Sequence, residues 1–207
     1  VSYEPFAPMP IYVLSRFRTA APAGGEYTIV VFGDQGRYIL ATGFLEEFSL
    51  TEWVFIPVSV LSIRIWQGQP LVLNLLPILC AVLIGAWWFR NHSASPQWPG
   101  AWLLAIAGFA FAGSGVLVIA QMMLAGLFTG PVLSMILTAF FAAIPLLLGF
   151  LLVRIALKTG PSPSYLNRGK MAALGIIGLF FWAGLIAGPV LAIAASLIPG
   201  SGQSKAP

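Results

Sequence analysis

From Gln67 to Pro207 the chain contains no Asp and no Glu. It also holds three long runs without Lys or Arg: Ile65–Phe89, Asn91–Val153 and Met171–Ser204. Charged side chains are costly in hydrocarbon, and a run of about 20 apolar residues crosses a bilayer. This pattern restricts most of the chain to membrane helices. The first run holds one span, the middle run two spans with a hinge, and the last run one span. Composition agrees, since only 8% of residues are charged and 59% are hydrophobic. A soluble domain carries about 25% charged residues.

The net charge of +4 hides a division. All six acids (Glu4, Glu26, Asp34, Glu46, Glu47, Glu52) precede residue 67, beside four Arg, so that region has a net charge of −2. The remainder has six Lys/Arg and no acid, a net charge of +6. These cations flank apolar runs, where anionic lipid headgroups are the simpler partner and nucleic acid is not indicated. Cys80 is the only cysteine, so no intrachain disulfide forms.

The expected fold class is an integral membrane, mainly α protein. A four-transmembrane-helix bundle follows a small β domain, either sandwich-like or an open antiparallel sheet. Residues 1–66 form the β-rich domain in this reading. Ile11–Arg18 alternates, Tyr27–Phe32 is β-branched and aromatic, and Gly33-Asp34-Gln35-Gly36 turns into Arg37–Thr42, a hairpin signature. Val58–Ile65 alternates again and reads as a strand. Trp53–Pro57 is apolar enough to touch the membrane or a partner.

Residues 67–199 form the transmembrane domain, with spans at about 70–89, 101–128, 132–153 and 171–198, and 200–207 is a flexible tail. Trp66 and Trp87-Trp88 bracket the first span as an aromatic belt. Pro77, Pro145 and Pro189 are expected to bend their helices. Thr129-Gly130-Pro131 is a tight connection that makes the second and third spans an antiparallel hairpin. Small residues, including Gly108 and Ala112 in the second span and Gly184, Gly188 and Ala192 in the fourth, allow close helix approach.

The positive-inside rule sets the expected orientation in a plasma (inner) membrane. Arg90 and the loop residues Arg154, Lys158, Arg168 and Lys170 fall on one side, assigned to the cytoplasm. The β domain and the C-terminus are then extracytoplasmic. The five cations serve topology, contact with anionic lipid, or both.

Motifs that carry chemistry are few. His92 is the only histidine, too few for a bis-His haem or a His-rich zinc site, and it has no acid near it in sequence for a His-based triad, which leaves an interfacial polar residue. Asn74 and Gln121 are the clearest polar side chains within the spans. They read either as pore or ligand contacts or, more simply, as an interhelical hydrogen bond worth about 1 kcal/mol. Met122, Met123 and Met135 read as packing rather than a copper site, because adjacent helical residues point about 100° apart. Gly33–Gly36 lacks the Lys-Ser/Thr of a phosphate loop, and Glu46, Glu47 and Glu52 lack EF-hand spacing. No catalytic residue, cofactor or metal is predicted.

The functional expectation is a non-catalytic accessory, assembly or scaffold subunit of a larger membrane complex. Its partners are the lipid bilayer and other membrane subunits or further copies of itself. The alternative is a small oligomeric channel or carrier for a neutral or apolar solute around Asn74 and Gln121. A weaker alternative is a receptor whose outer domain binds a ligand.

Overall fold

The computed structural model describes residues 2–11, 23–28, 30, 32, 48–93, 98–126 and 132–200. Two short strands, β1 (Ser2–Glu4) and β2 (Met9–Ile11), precede six helices: α1 (Leu50–Trp66), α2 (Leu71–His92), α3 (Gly100–Gly126), α4 (Val132–Lys158), α5 (Tyr165–Phe180) and α6 (Ala187–Leu197). α2, α3 and α4 are each long and apolar enough to cross a bilayer, with mean hydropathies of 2.2, 2.3 and 2.6. α3 lies at the centre. Of its most apolar window 56% is buried, against 17% for α2 and 39% for α4.

Small residues let α3 take that place. A Cβ on Gly149 of α4 would lie 2.5 Å from the Gly108 carbonyl oxygen and 2.9 Å from the Ala112 nitrogen. A Cβ on Gly115 would lie 2.9 Å from the Ala142 oxygen. On the other face, a Cβ on Gly113 would lie 2.6 Å from Ile78 Cα of α2. Backbone therefore meets backbone along both interfaces, where dispersion between close surfaces replaces the absent hydrophobic drive. The pairs 108/149, 115/142 and 126/135 show that α3 and α4 are antiparallel. Their Thr129-Gly130-Pro131 link lies outside the described residues.

The last apolar run is not one helix. α5 ends at Phe180, and Phe181–Ile186 is a turn before α6 begins. Trp182, Gly184 and Leu185 there have φ of 51°, 67° and 59°. These left-handed angles end the right-handed helix. Gly184 adopts its angle without the Cβ clash, and its N–H donates to Ser114 Oγ of α3 at 2.8 Å. The predicted Gly184, Gly188, Ala192 stripe is thus split. Gly184 sits in the turn, Gly188 packs on Phe111, and Ala192 packs on Gly175 of α5.

The turn reverses the chain. A Cβ on Gly175 would lie 3.2 Å from the Pro189 oxygen and 2.8 Å from Ile193, so α5 and α6 run side by side. Beyond α6, Trp98 Nε1 at the start of α3 donates to the Ile198 carbonyl at 3.1 Å. Gly200 lies against Ser162, just before α5. α6 therefore ends at the same end of the bundle at which α5 begins. In place of the expected fourth span at 171–198 there is a helical hairpin, and the C-terminal end of α6 lies at the same end of the bundle as the basic loops instead of opposing them. Irregular backbone inside a bundle is tolerated where protein supplies partners, and α3 and α1 both hydrogen-bond to this turn or its edge.

The strand expected at Val58–Ile65 is helix. α1 starts with a capping box in which Glu52 N–H donates to Ser49 Oγ and Ser49 N–H donates to Glu52 Oε2. Pro57, Val60, Leu61 and Arg64, at helical spacing, line one cavity together. The described sheet is the single antiparallel pair β1–β2, with Tyr3 opposite Pro10. Tyr27, Thr28, Val30 and Phe32 are not in strands, and the remaining expected strand residues at 12–18 and 37–42, with the 33–36 turn, lie outside the described residues.

Candidate functional site

Arg64 is the anchor of the only buried cluster that joins a charge to amides among the described residues. It lies in the last turn of α1 and is 5% exposed. A sharp connection through Gly68, φ 94°, brings α2 back beside it. The first turn of α2 supplies Asn74, fully buried, whose Nδ2 donates to the Pro70 carbonyl at 3.2 Å. That bond orients the Asn74 amide so that Oδ1 faces inward. Oδ1 accepts from Gln121 Nε2 of α3 at 3.3 Å and, more weakly, from Arg64 Nη1 at 3.5 Å. Gln121 Nε2 also donates to Gln69 Oε1 at 3.3 Å. Asn74 and Gln121 therefore meet each other inside one chain. The cluster ties three helices at the end of the bundle opposite the basic loops.

A partly open cavity of about 90 Å³ adjoins the cluster. Arg64, Asn74 and Ser114 are its polar lining, and Phe6, Pro8, Val60, Leu117, Trp182 and Leu185 supply apolar walls. Arg64 Nε is buried and has no hydrogen-bond partner among the described residues. Burial lowers the pKa of the guanidinium to about 10, and among the described residues no neighbouring charge offsets this. It is still a cation at neutral pH. A larger, shallow cleft of about 270 Å³ between α4 and α5 is lined by Leu151, Ile155, Lys170, Ala173 and Leu174. Its one polar residue, Lys170, is solvent-exposed, so it lacks the desolvated charge that marks the Arg64 cavity.

Two further contacts close the cavity. The turn of the N-terminal hairpin inserts beside α4: Tyr3 O–H donates to Thr138 Oγ1 at 2.8 Å, and Thr138 O–H donates to the Pro5 carbonyl at 2.8 Å. Phe6 packs edge-on to Phe141 with centroids 5.0 Å apart. On the other side α1 staples the turn between α5 and α6. Pro57 has no N–H, so the Trp53 carbonyl one turn earlier loses its helical donor. Trp182 Nε1 donates to that carbonyl at 2.9 Å. Trp53 Nε1 in return donates to the Phe180 carbonyl at 3.3 Å, and the two rings are 4.8 Å apart.

The five predicted cations lie at the other end of the bundle, at the ends of α2 and α4 and the start of α5. Arg90, Arg154, Lys158 and Lys170 are exposed, and Arg168 is half-buried with Nη2 lacking a partner. His92 is exposed, stacked on Trp88 and within 2.9 Å of its carbonyl. Gly126 rests on Met135, while Met123 is exposed. Cys80 is exposed. Among the described residues no group of His, Cys, Asp and Glu gathers as a metal site would require.

Arg64 was not among the residues singled out from the sequence, because assignment of its segment to a strand put it on a polar face. Ser49-x-x-Glu52 before an apolar stretch was the signal that identifies the helix. No family model, curated protein or solved structure matches this chain.

Proposed function

We propose that this chain is a non-catalytic, multi-pass membrane protein that serves as an accessory, assembly or scaffold subunit of a larger membrane complex. One observation supports this reading above others. The polar side chains within the helices are used to join elements of the chain: Asn74 to Gln121, Tyr3 to Thr138, Ser114 to Gly184, and Trp53 to the α5–α6 turn. Such bonds hold a fixed shape in lipid, where each is worth about 1 kcal/mol. A rigid body with an apolar exterior is what a scaffold presents to neighbouring subunits. The pairing of Asn74 with Gln121 inside one chain also removes the motive for an oligomeric pore built around them.

By the positive-inside rule the basic end faces the cytoplasm of an inner-membrane protein. The end of α6 goes with it, and the Arg64 end faces outward. The test is purification of the tagged protein from its native membrane in mild detergent, with mass spectrometry of its companions. A stoichiometric membrane partner is expected. A homo-oligomer without companions, together with solute flux that Asn74→Leu/Gln121→Leu abolishes, sinks the proposal in favour of a carrier.

A further inference from the structure

Arg64 departs from the pattern of internal pairing. Its Nε is buried without a partner and its Nη1 has only a 3.5 Å contact to an amide oxygen. A buried cation with no counter-charge is destabilising, and breaking such a pair is among the costlier changes in a fold. Retaining one beside a cavity is the arrangement of a site for an anion.

The shape and surroundings narrow the anion. A guanidinium presents parallel N–H groups in a fixed fork that matches the two oxygens of a carboxylate. A space of about 90 Å³ accommodates a group of a few heavy atoms, not a whole lipid. The walls beyond Arg64 and Asn74 are Ile56, Val60, Leu61, Val118 and Leu185, which suit a methylene chain. Leu185 also lies just before α6, so the positive end of that helix dipole stands at the inner side of the cavity. We propose that the cavity between α1, α2, α3 and the α5–α6 turn binds a carboxylate, held by the Arg64 guanidinium and carried by a single-chain amphiphile whose tail leaves along the apolar walls. Asn74 is a positioning residue, since its Oδ1 fixes the guanidinium through Nη1 while its own amide is fixed by Pro70.

The experiment uses the full chain, delipidated in an uncharged detergent. Oleate, methyl oleate and acetate are titrated by calorimetry and by the shift in unfolding temperature. Oleate is expected to bind saturably at one per chain, with methyl oleate at least about tenfold weaker, as loss of a charge-assisted pair implies. Arg64→Met is expected to weaken oleate by the same factor. It also unfolds at or above the wild-type temperature without ligand, because an unpaired buried charge is gone. Arg64→Lys keeps the charge without the fork, gives an intermediate affinity, and carries the comparison should Arg64→Met not fold. Arg168→Gln, at the opposite end, leaves oleate binding unchanged. Acetate competing at the same concentrations as oleate supports the carboxylate site but makes the ligand a water-borne acid. Equal binding of methyl oleate, equal binding by Arg64→Met, or no saturable binding by the wild type overturns the proposal.

Discussion

Pro57 and Trp182 make a coupled pair that can be tested quantitatively. Pro57 withdraws the N–H that would serve the Trp53 carbonyl, and the Trp182 indole serves it instead at 2.9 Å. Trp182→Phe keeps most of the ring but leaves that carbonyl bare. An unsatisfied buried carbonyl costs about 1–3 kcal/mol in water-soluble proteins. Polar pairs in membrane proteins average about 0.6 kcal/mol and reach about 1.7. Since the site lies at a junction of three elements, about 1–1.5 kcal/mol is expected, taken from the upper part of that membrane range. In a Pro57→Ala background residue 57 regains its N–H and serves Trp53 within α1, so Trp182→Phe is expected to cost at least about 0.5 kcal/mol less. The assay is detergent-induced unfolding of the four proteins in mixed micelles, followed by far-ultraviolet circular dichroism. An equal cost of Trp182→Phe in both backgrounds refutes the reasoning and leaves Trp182 as a packing residue only.

Gly149→Ala is expected to destabilise by about 1–3 kcal/mol, since the new Cβ would lie 2.5 Å from the Gly108 oxygen. Gly169→Ala, with nothing within 4 Å in α5, is expected to be neutral or up to about 1 kcal/mol stabilising in the same unfolding assay. With Cys80 replaced by Ala, Gly160→Cys and Pro199→Cys, both at exposed positions, are expected to react with an impermeant thiol reagent from the same side of sealed vesicles; reaction from opposite sides contradicts the α5–α6 hairpin. Hydrogen bonds from Ser49 hold the Glu52 carboxyl below its usual range. The capping box therefore contributes above the unfolded carboxylate range and is lost as pH falls through the lowered folded value. Amide exchange in the first turn of α1 is expected to quicken on that acidification, and Glu52→Gln is expected to remove the dependence.

Much of this architecture was legible in the residue order. Long acid-free apolar runs favour lipid over water, and backbone in lipid must bond to itself, which a helix does within each run. The boundaries of α2 and the start of α4 fall close to where charge and Gly-Pro punctuation put them. Gly108 and Ala112 identify α3 as a close-packing helix, because a missing side chain is visible in the sequence whatever it faces. The cavity was not legible. Val58–Ile65 by itself fits both an alternating strand and a helical stripe; the Ser49-x-x-Glu52 capping box upstream favours the helix, but only the tertiary docking of Trp53 and Arg64 on other elements shows what that helix encloses.

Sequence alone therefore determined the solvent, the helical character and the basic end of this protein, since these follow from transfer free energies summed residue by residue. Tertiary structure alone decided the direction of the last apolar run. A stretch from Met171 to Ile198 is long enough for one crossing or for two half-crossings, and hydropathy is the same for both. The choice rests on contacts between distant residues: Gly184 N–H on Ser114, Trp182 on Trp53, and Ile198 on Trp98. The first satisfies a backbone N–H that a straight helix would have satisfied by itself, and the other two occupy carbonyls that no local donor serves. Those partners lie 70 to 129 residues away along the chain, and no local pattern announces them.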